Sequence, residues 1–304
     1  MLYLLQQLLN GLHMGAIYAM LAFGYALINA VLHRTNLAHG AIFGFAGQIM
    51  ILAAVYGWQV LWLTLPATLA FGFVVALFYG AVISAVLLHS VLLPLLNRSA
   101  NTIVAATLGV SLVLMELGRI AAETRDFWLP PMLSQPVVFA QGGGFKATLT
   151  TLQVINCAAV LALLIAASRG LPRSRFGREW QAVSDDPLAA ALCGVDTRKV
   201  FRQAALYGGL GAAFAGILAA LYYGNISFGA GLVFGLKILF VTAVGGYLSP
   251  PRAAVGGAVF GVAESLWSGY FPVEWRDGWM LGCLVVLLVL RTERELPEKT
   301  TSRV

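Results

Sequence analysis

The sequence predicts an all-α, polytopic bundle of about eight or nine transmembrane helices, and its composition is the first reason. The chain is 60% hydrophobic and only 11% charged, whereas an ordinary soluble domain carries about 25% charged residues. Continuous apolar runs such as 58–88 exceed the roughly 20 residues that a helix needs to cross a bilayer. A membrane β-barrel would instead show alternating segments of about 10 residues. Helices are therefore the predicted spanning element.

Nine apolar segments can be drawn along the chain, and the basic residues between them predict their orientation. The segments cover residues 8–32, 41–57, 60–89, 101–122, 147–168, 201–224, 231–248, 252–270 and 277–290. With the N-terminus outside, 14 of the 19 Lys and Arg residues fall in inside loops or in the C-terminal tail. Because positive charge marks cytoplasmic loops, we expect the N-terminus out, the C-terminus in, and one transmembrane domain over 1–304.

Two connecting loops are long. The first, about 123–146, is predicted to lie outside and contains two adjacent prolines and the glycine run 142–144. Proline and glycine at these densities argue against a regular helix. The second, about 169–200, is basic and is predicted to lie inside, where it is the longest segment between apolar stretches.

The inside loop contains the signals of one short helix. Ser184 or Asp185 can cap its start, and Pro187 suits its first turn. Residues 188–193 are mostly good helix formers, and Gly194 suits the position just after the helix. A short helix with alanines on its surface could fit a groove on a partner protein. An unstructured, solvated loop is the alternative interpretation.

Motifs for catalysis on nucleotides or metals are missing from the sequence. It has no G-x-x-x-x-G-K-[ST] phosphate-binding loop, no H-E-x-x-H and no C-x-x-C. The three cysteines, Cys157, Cys193 and Cys283, are far apart, without metal or disulfide spacing. We therefore expect a noncatalytic chain that binds no cofactor, so any ATP hydrolysis would belong to another polypeptide.

Several short motifs resemble those of the branched-chain amino acid permease family of ABC importers. Residues 188–194 resemble the E-A-A-x-x-x-G element of importer permeases, with Ala189, Ala190 and Gly194 at the matching positions and Leu188 in place of the acidic residue. Residues 10–19 and 36–41 resemble the N-terminal signatures of the family. Further matches are Phe176-Gly177-Arg178, Gly194-Val-Asp196, Gly235-Leu-Lys237, Gly245-Gly246 and Glu264. The resemblance covers about residues 5–291.

The resemblance implies a membrane-spanning subunit in the bacterial inner membrane that moves branched-chain amino acids or a similar small polar solute. Urea and short amides are alternative solutes. It also implies a second, different permease, two cytoplasmic ATPase subunits that use ATP and Mg, and a periplasmic solute-binding protein. The loop residues that would contact the ATPase are Phe176, Gly177, Arg178, Ala189, Ala190, Gly194 and Asp196. A self-sufficient secondary carrier or channel is the rival function.

Polar residues inside apolar segments are the remaining candidates, because they are costly in a membrane and often functional. Lys237 and Glu264 lie at similar distances from the turn near 248–251, so we expect an intramembrane ion pair. Alternatively, Lys237 faces the pathway and meets a substrate carboxylate. Weaker candidates for a pathway or gate are His13, Asn36, His39 and Gln48.

Overall fold

The computed structural model describes residues 1–96 and 98–295, most of which are helical. The helices are α1 (Leu2–Leu32), α2 (Ala38–Gln59), α3 (Leu65–Leu87), α4 (Leu93–Leu95), α5 (Ala100–Ala121), α6 (Thr151–Arg173), α7 (Arg175–Asp185), α8 (Pro187–Leu192), α9 (Thr197–Tyr223), α10 (Ala230–Gly245), α11 (Pro250–Tyr270) and α12 (Arg276–Glu295). A π-helical turn over Leu88–Leu92 joins α3 to α4. Residues 296–304, whose basic side chains contributed to the orientation prediction, lie outside the described residues.

Six helices are long and apolar enough to cross a membrane: α1, α2, α3 with α4, α5, α6 and α9. Helices α10 and α11 pass the same test together, as a pair bent by 118° at their break. The described residues thus contain six or seven candidate spans, and the prediction of eight or nine is not confirmed. Two features account for the difference. Helix α10 has 16 residues, which span about 24 Å, and α12 begins with Arg276 and Asp277.

The centre of the bundle is formed by α1, α2 and α9, which are buried along most of their length, whereas α3, α5 and α6 lie at the periphery. Large side chains such as Tyr18, Phe43 and Ile217 are fully buried in this core. Because lipid is as apolar as a protein core, the peripheral helices can expose leucine and valine on their outer faces.

Helices α1 and α11 cross closely through small residues. Gly11 of α1 lies against Val262 of α11, and Gly15 lies against Ala258, so the two helices run antiparallel. A Cβ atom at Gly261 would meet the backbone of Gly15. Small residues are typical of such crossings, since association in lipid depends on close packing.

The all-α prediction needs one correction, because residues 136–150 form a β-hairpin. Strand β1 (Pro136–Gly142) pairs antiparallel with β2 (Phe145–Thr150), and both turn residues, Gly143 and Gly144, have positive φ. Residues 147–150, assigned to a membrane segment from their hydropathy, belong to β2. The hairpin is held to α1 by Gln6, whose amide exchanges two hydrogen bonds with the backbone of Thr148 at 2.7 and 2.9 Å.

Candidate functional site: a docked helical segment and a buried charge cluster

Helix α7 is fixed to the bundle by one buried tryptophan. The side chain of Ser174 caps the helix by accepting a hydrogen bond from the amide of Gly177 at 2.9 Å. One turn later, Nε1 of Trp180 donates to the carbonyl oxygen of Leu27 in α1 at 2.9 Å. Trp180 is only 6% exposed and packs with Val183 in a small apolar cluster. The segment that follows α6 is therefore a docked helix rather than a free loop.

The cap of α8 lies one or two residues later than predicted, and Pro187 occupies the first turn as expected. The N-cap is Asp186, whose Oδ1 accepts hydrogen bonds from the amides of Leu188 at 2.8 Å and Ala189 at 3.0 Å. Ser184 is instead buried in the last turn of α7, and Asp185 is the exposed end of that helix. The assignment of Ser184 or Asp185 as the cap was therefore wrong.

The two faces of α8 differ in what they contact. Ala190 is buried against the bundle in the same apolar cluster as Trp180. On the opposite face Leu188 is 72% and Leu192 is 82% exposed. The helix ends before Gly194, whose φ of 86° favours glycine. This exposed pair of leucines presents apolar surface outward, a feature that was not predicted from the sequence.

The other predicted loop residues have mainly structural contacts. The ring of Phe176 packs edge to face on Tyr207, with centroids 5.1 Å apart. Gly177 is buried against the carbonyl of Leu171, where a side chain would clash. Arg178 donates through Nη1 to the carbonyl of Arg173 at 2.9 Å.

Asp196 and the charged face of α7 complete this segment. Asp196 is the N-cap of α9, and its Oδ1 accepts from the amide of Lys199 at 3.0 Å. On α7, Nε of Arg175 donates to Oε1 of Glu179 at 2.7 Å, and this hydrogen bond raises the pKa of the Arg175 guanidinium. The segment from α7 to the start of α9 is thus an ordered unit with a polar outer surface and two exposed leucines.

The structure brings Lys237 and Glu264 together inside the bundle. Nζ of Lys237 lies 2.7 Å from Oε1 of Glu264 and 2.9 Å from Oδ1 of Asp277. It also donates to the hydroxyl of Tyr18 at 3.4 Å. Nε of Arg276 lies 3.3 Å from the same oxygens of Glu264 and Asp277. Two cations and two carboxylates therefore form one neutral cluster that links α10, α11 and the start of α12.

Burial divides this cluster into two halves. The side chains of Lys237 and Glu264 are 3% and 6% exposed, whereas those of Arg276 and Asp277 are 34% and 49% exposed. Oε2 of Glu264 is buried and has no hydrogen-bond partner among the described residues. Buried charges are costly unless they are paired. Arg276 and Asp277 were not among the predicted site residues, although they adjoin the last apolar segment at the same end as Glu264.

The candidate His13 contacts residues outside this cluster. It is fully buried, and its Nε2 is 3.3 Å from Nδ2 of Asn156 in α6. Its ring packs on Tyr222 of α9 with centroids 4.3 Å apart. These contacts tie α1 to α6 and α9.

Asn36 and His39 lie at the break between α1 and α2, and Gln48 lies further along α2. Oδ1 of Asn36 accepts from the amide of Ala38 at 3.1 Å, and Nε2 of His39 lies 3.2 Å from the carbonyl of Leu21. The side chain of Gln48 packs against Gly118 of α5. The structure therefore does not gather the four weaker candidates into one site.

Comparisons with known structures and sequences found several similar proteins. PsaBC from Streptococcus pneumoniae, solved in complex with Fab, aligns with a TM-score of 0.47 and 11% identity over 92% of this chain and 89% of that chain. The high-affinity branched-chain amino acid transport system permease protein LivH of Escherichia coli (strain K12) is 31% identical, covering 96% of this chain and 95% of that protein. The corresponding protein BraD of Pseudomonas aeruginosa is 26% identical, covering 94% of each chain.

A family profile also matches most of the chain. The profile described as branched-chain amino acid transport system / permease component matches residues 7–289. That range contains all six candidate spans apart from the first residues of α1, and it contains the bent pair, α7 and α8. The chain is therefore a multi-pass membrane protein that belongs to the branched-chain amino acid ABC transport permease family.

Proposed function

We propose that this chain is one membrane-spanning subunit of an ABC importer that carries branched-chain amino acids across the bacterial inner membrane. The family match over residues 7–289 supports transport. The observation that carries the importer mechanism is the docked segment α7–α8, with its exposed Leu188 and Leu192. Apolar side chains held outward on a rigid helix are suited to a protein partner.

In this proposal α7–α8 faces the cytosol and contacts an ATPase subunit. The basic residues of 169–200 favour the cytoplasmic side, with the N-terminus out and the C-terminus in. Trp180 of α7 is hydrogen-bonded to Leu27 of α1. A displacement of α7–α8 would therefore be transmitted to α1, the most buried candidate span. This route would bias the bundle between two states as the ATPase subunits close.

The remaining partners would complete the importer complex. A second permease, a different one in this family, would form the other half of the membrane core. A periplasmic solute-binding protein would deliver solute at the side that carries the β-hairpin. Two ATPase subunits would use ATP and Mg, while this chain would carry no catalytic group of its own.

The test of the function is solute uptake by reconstituted complexes. The chain is co-expressed with its ATPase, second permease and binding protein, purified, and placed in proteoliposomes. We expect uptake of labelled leucine only with ATP and all subunits present. Uptake by the lone chain under an ion gradient would instead support a secondary carrier, and uptake of urea or short amides without leucine would change the solute class.

The coupling role is tested by a charged substitution on the free face of α8. Ala189→Arg places a long cation beside the two exposed leucines, so we expect loss of ATPase co-purification while membrane insertion persists. Gly194→Trp is expected to act similarly, since a φ of 86° is strained for tryptophan. Gln141→Arg, on the exposed hairpin, is the matched control and should leave recovery unchanged. Undiminished recovery with Ala189→Arg would contradict the coupling role.

A further inference from the structure

A cleft of about 660 Å³ lies between α10, α11 and α12. It is lined by apolar side chains such as Val241, Val255 and Phe260, together with Met280 and Leu284. Among the described residues that line it, Arg252 alone is charged. Its volume falls within the range of about 300–1,000 Å³ that is usual for small-molecule sites.

The charge cluster lies one helical turn from residues that line this cleft. The lining residue Val241 follows Lys237 by one helical turn, Phe260 precedes Glu264 by one turn, and Met280 follows Arg276 by one turn. One turn of helix is about 5.4 Å. Phe260 also packs edge to face on Tyr18, whose hydroxyl bonds to Lys237. The cleft is therefore apolar along its walls, and both signs of charge lie about one helical turn beyond its lining residues.

Two features of the cluster suit a ligand. Oε2 of Glu264 is a buried carboxylate oxygen without a partner among the described residues, which is unusual because buried polar atoms are normally hydrogen-bonded. The carboxylate of Asp277 is half exposed and occupies the position between Lys237 and Arg276. An incoming carboxylate in the place of Asp277 would meet the same two cations.

We propose that the charge cluster and the adjoining cleft form a binding site for a zwitterionic α-amino acid with an apolar side chain. The solute carboxylate replaces that of Asp277 on Lys237 and Arg276, and the ammonium group donates to Oε2 of Glu264. The side chain lies in the cleft. Asp277 thus occupies the site when solute is absent, and its release frees the start of α12 from α10. This inference rests on the proposed transport function.

Charge complementarity favours this solute class over other occupants. A solute carboxylate in the place of Asp277 keeps two cations opposite two carboxylates. A lone anion would leave Oε2 of Glu264 without a partner, whereas the ammonium group of a zwitterion supplies a donor for it. A lone cation has no group that could replace Asp277 on Lys237 and Arg276. Urea and simple amides lack the charges that would displace Asp277.

A native cysteine provides the assay. Cys283 lines the cleft, and a thiol introduced as Gln141→Cys on the exposed β-hairpin controls for reagent access. In membranes containing the complete complex, a membrane-permeant maleimide labels both. We expect leucine to slow the labelling of Cys283 and not that of the introduced thiol. Leucinamide, which lacks the carboxylate, and 4-methylpentanoate, which lacks the ammonium group, should protect far less.

Two variants that should change the affinity for leucine in opposite directions distinguish a binding site from a purely structural charge cluster. Lys237→Met should raise the half-protecting leucine concentration by about tenfold or more, the factor for one lost charge-assisted hydrogen bond. Asp277→Asn should lower that concentration, because it removes the competing carboxylate. Glu274→Gln, a nearby exposed residue outside the cluster, is the charge-matched control and should change nothing. A purely structural cluster would weaken protection in both cluster variants.

Three results would overturn the inference. They are protection by leucinamide equal to that by leucine, weaker protection with Asp277→Asn, and no protection by leucine at all. If labelling of Cys283 changes only on removal of lipid, a lipid chain occupies the cleft. Leucine uptake by a complex in which leucine fails to protect Cys283 would leave the proposed function intact and refute this site alone. Protection without ATP-dependent uptake would refute the proposed function instead.

Discussion

Replacement of Trp180 by alanine should release α7 and α8 from the bundle. The indole is 6% exposed, packs with Val183 and Ala190, and donates its N–H to the carbonyl of Leu27 at 2.9 Å. Removing a buried tryptophan side chain costs about 3–5 kcal/mol. The loss should be local, because the other contacts of α1 with α9 and α11 do not involve this residue.

Hydrogen exchange of the backbone amides measures this loss, since exchange reports local opening free energies. A change of 3 kcal/mol corresponds to roughly a hundredfold faster exchange, which we expect in α7 and α8 of Trp180→Ala. Trp180→Phe keeps most of the apolar contact and loses one hydrogen bond worth about 1 kcal/mol, so its effect should be several-fold.

The Trp180→Ala experiment has a matched control and a result that would refute it. Trp128→Ala removes an indole that is largely exposed in the segment before the β-hairpin, and it should leave exchange in α7 and α8 unchanged. Wild-type exchange rates throughout α7 and α8 of a folded Trp180→Ala protein would refute the anchoring role. Equal acceleration in α9 would show global rather than local loss.

Two further substitutions test helix packing and capping. Gly261→Ala places a methyl group against the backbone of Gly15 and should destabilise the protein by about 1–3 kcal/mol, which lowers its Tm in detergent. Gly109→Ala places a methyl group in open space and should leave the Tm unchanged. Equal Tm values for the two variants would contradict the close crossing of α1 and α11. Asp186→Ala should speed exchange in α8 in line with a cap worth about 1 kcal/mol. Asp185→Ala should have no such effect, and the reverse order would identify Asp185 as the cap.

The helices were largely predictable because hydropathy is a local property of the sequence. Each of the nine apolar segments overlaps one helix of the structure. Which helices can cross a membrane depends also on length and bending, and the 118° break between α10 and α11 has no marker in hydropathy. The hairpin had a visible signal, since apolar stretches flank the glycine run 142–144, but its second strand merges with an apolar segment.

The helices of the α7–α8 segment were predictable from the sequence, but their docking onto the bundle was not. Phe176, Trp180 and Val183 recur at helical spacing within a polar stretch, so α7 itself could have been predicted. The cap Asp186 also follows from the sequence, because a proline at the first helical position places the cap directly before it. The contact of Trp180 with Leu27 joins residues 153 positions apart, which no local pattern specifies.

The charge cluster was predictable only in part. Lys237 and Glu264 lie at similar distances from a turn, so a hairpin argument was enough to place them together. Arg276 and Asp277 join them because the start of α12 folds back to the same level. In the sequence analysis the preceding loop ended at Arg276 and the last apolar segment began at Asp277. Segment bounds of this kind do not reveal that these two half-exposed residues also contact a buried pair.

Cross-linking from Cys193 is the most direct test of the central claim that an ATPase acts on this bundle through α7–α8. Cys193 is exposed at the end of α8, and Cys157→Ala with Cys283→Ala leaves it as the single thiol. We predict that a membrane-impermeant maleimide labels Cys193 only from the cytoplasmic side, and that a short bifunctional reagent joins it to an ATPase subunit. Labelling of Cys193 from outside intact cells, or an assembled complex that yields no ATPase adduct, would contradict the account.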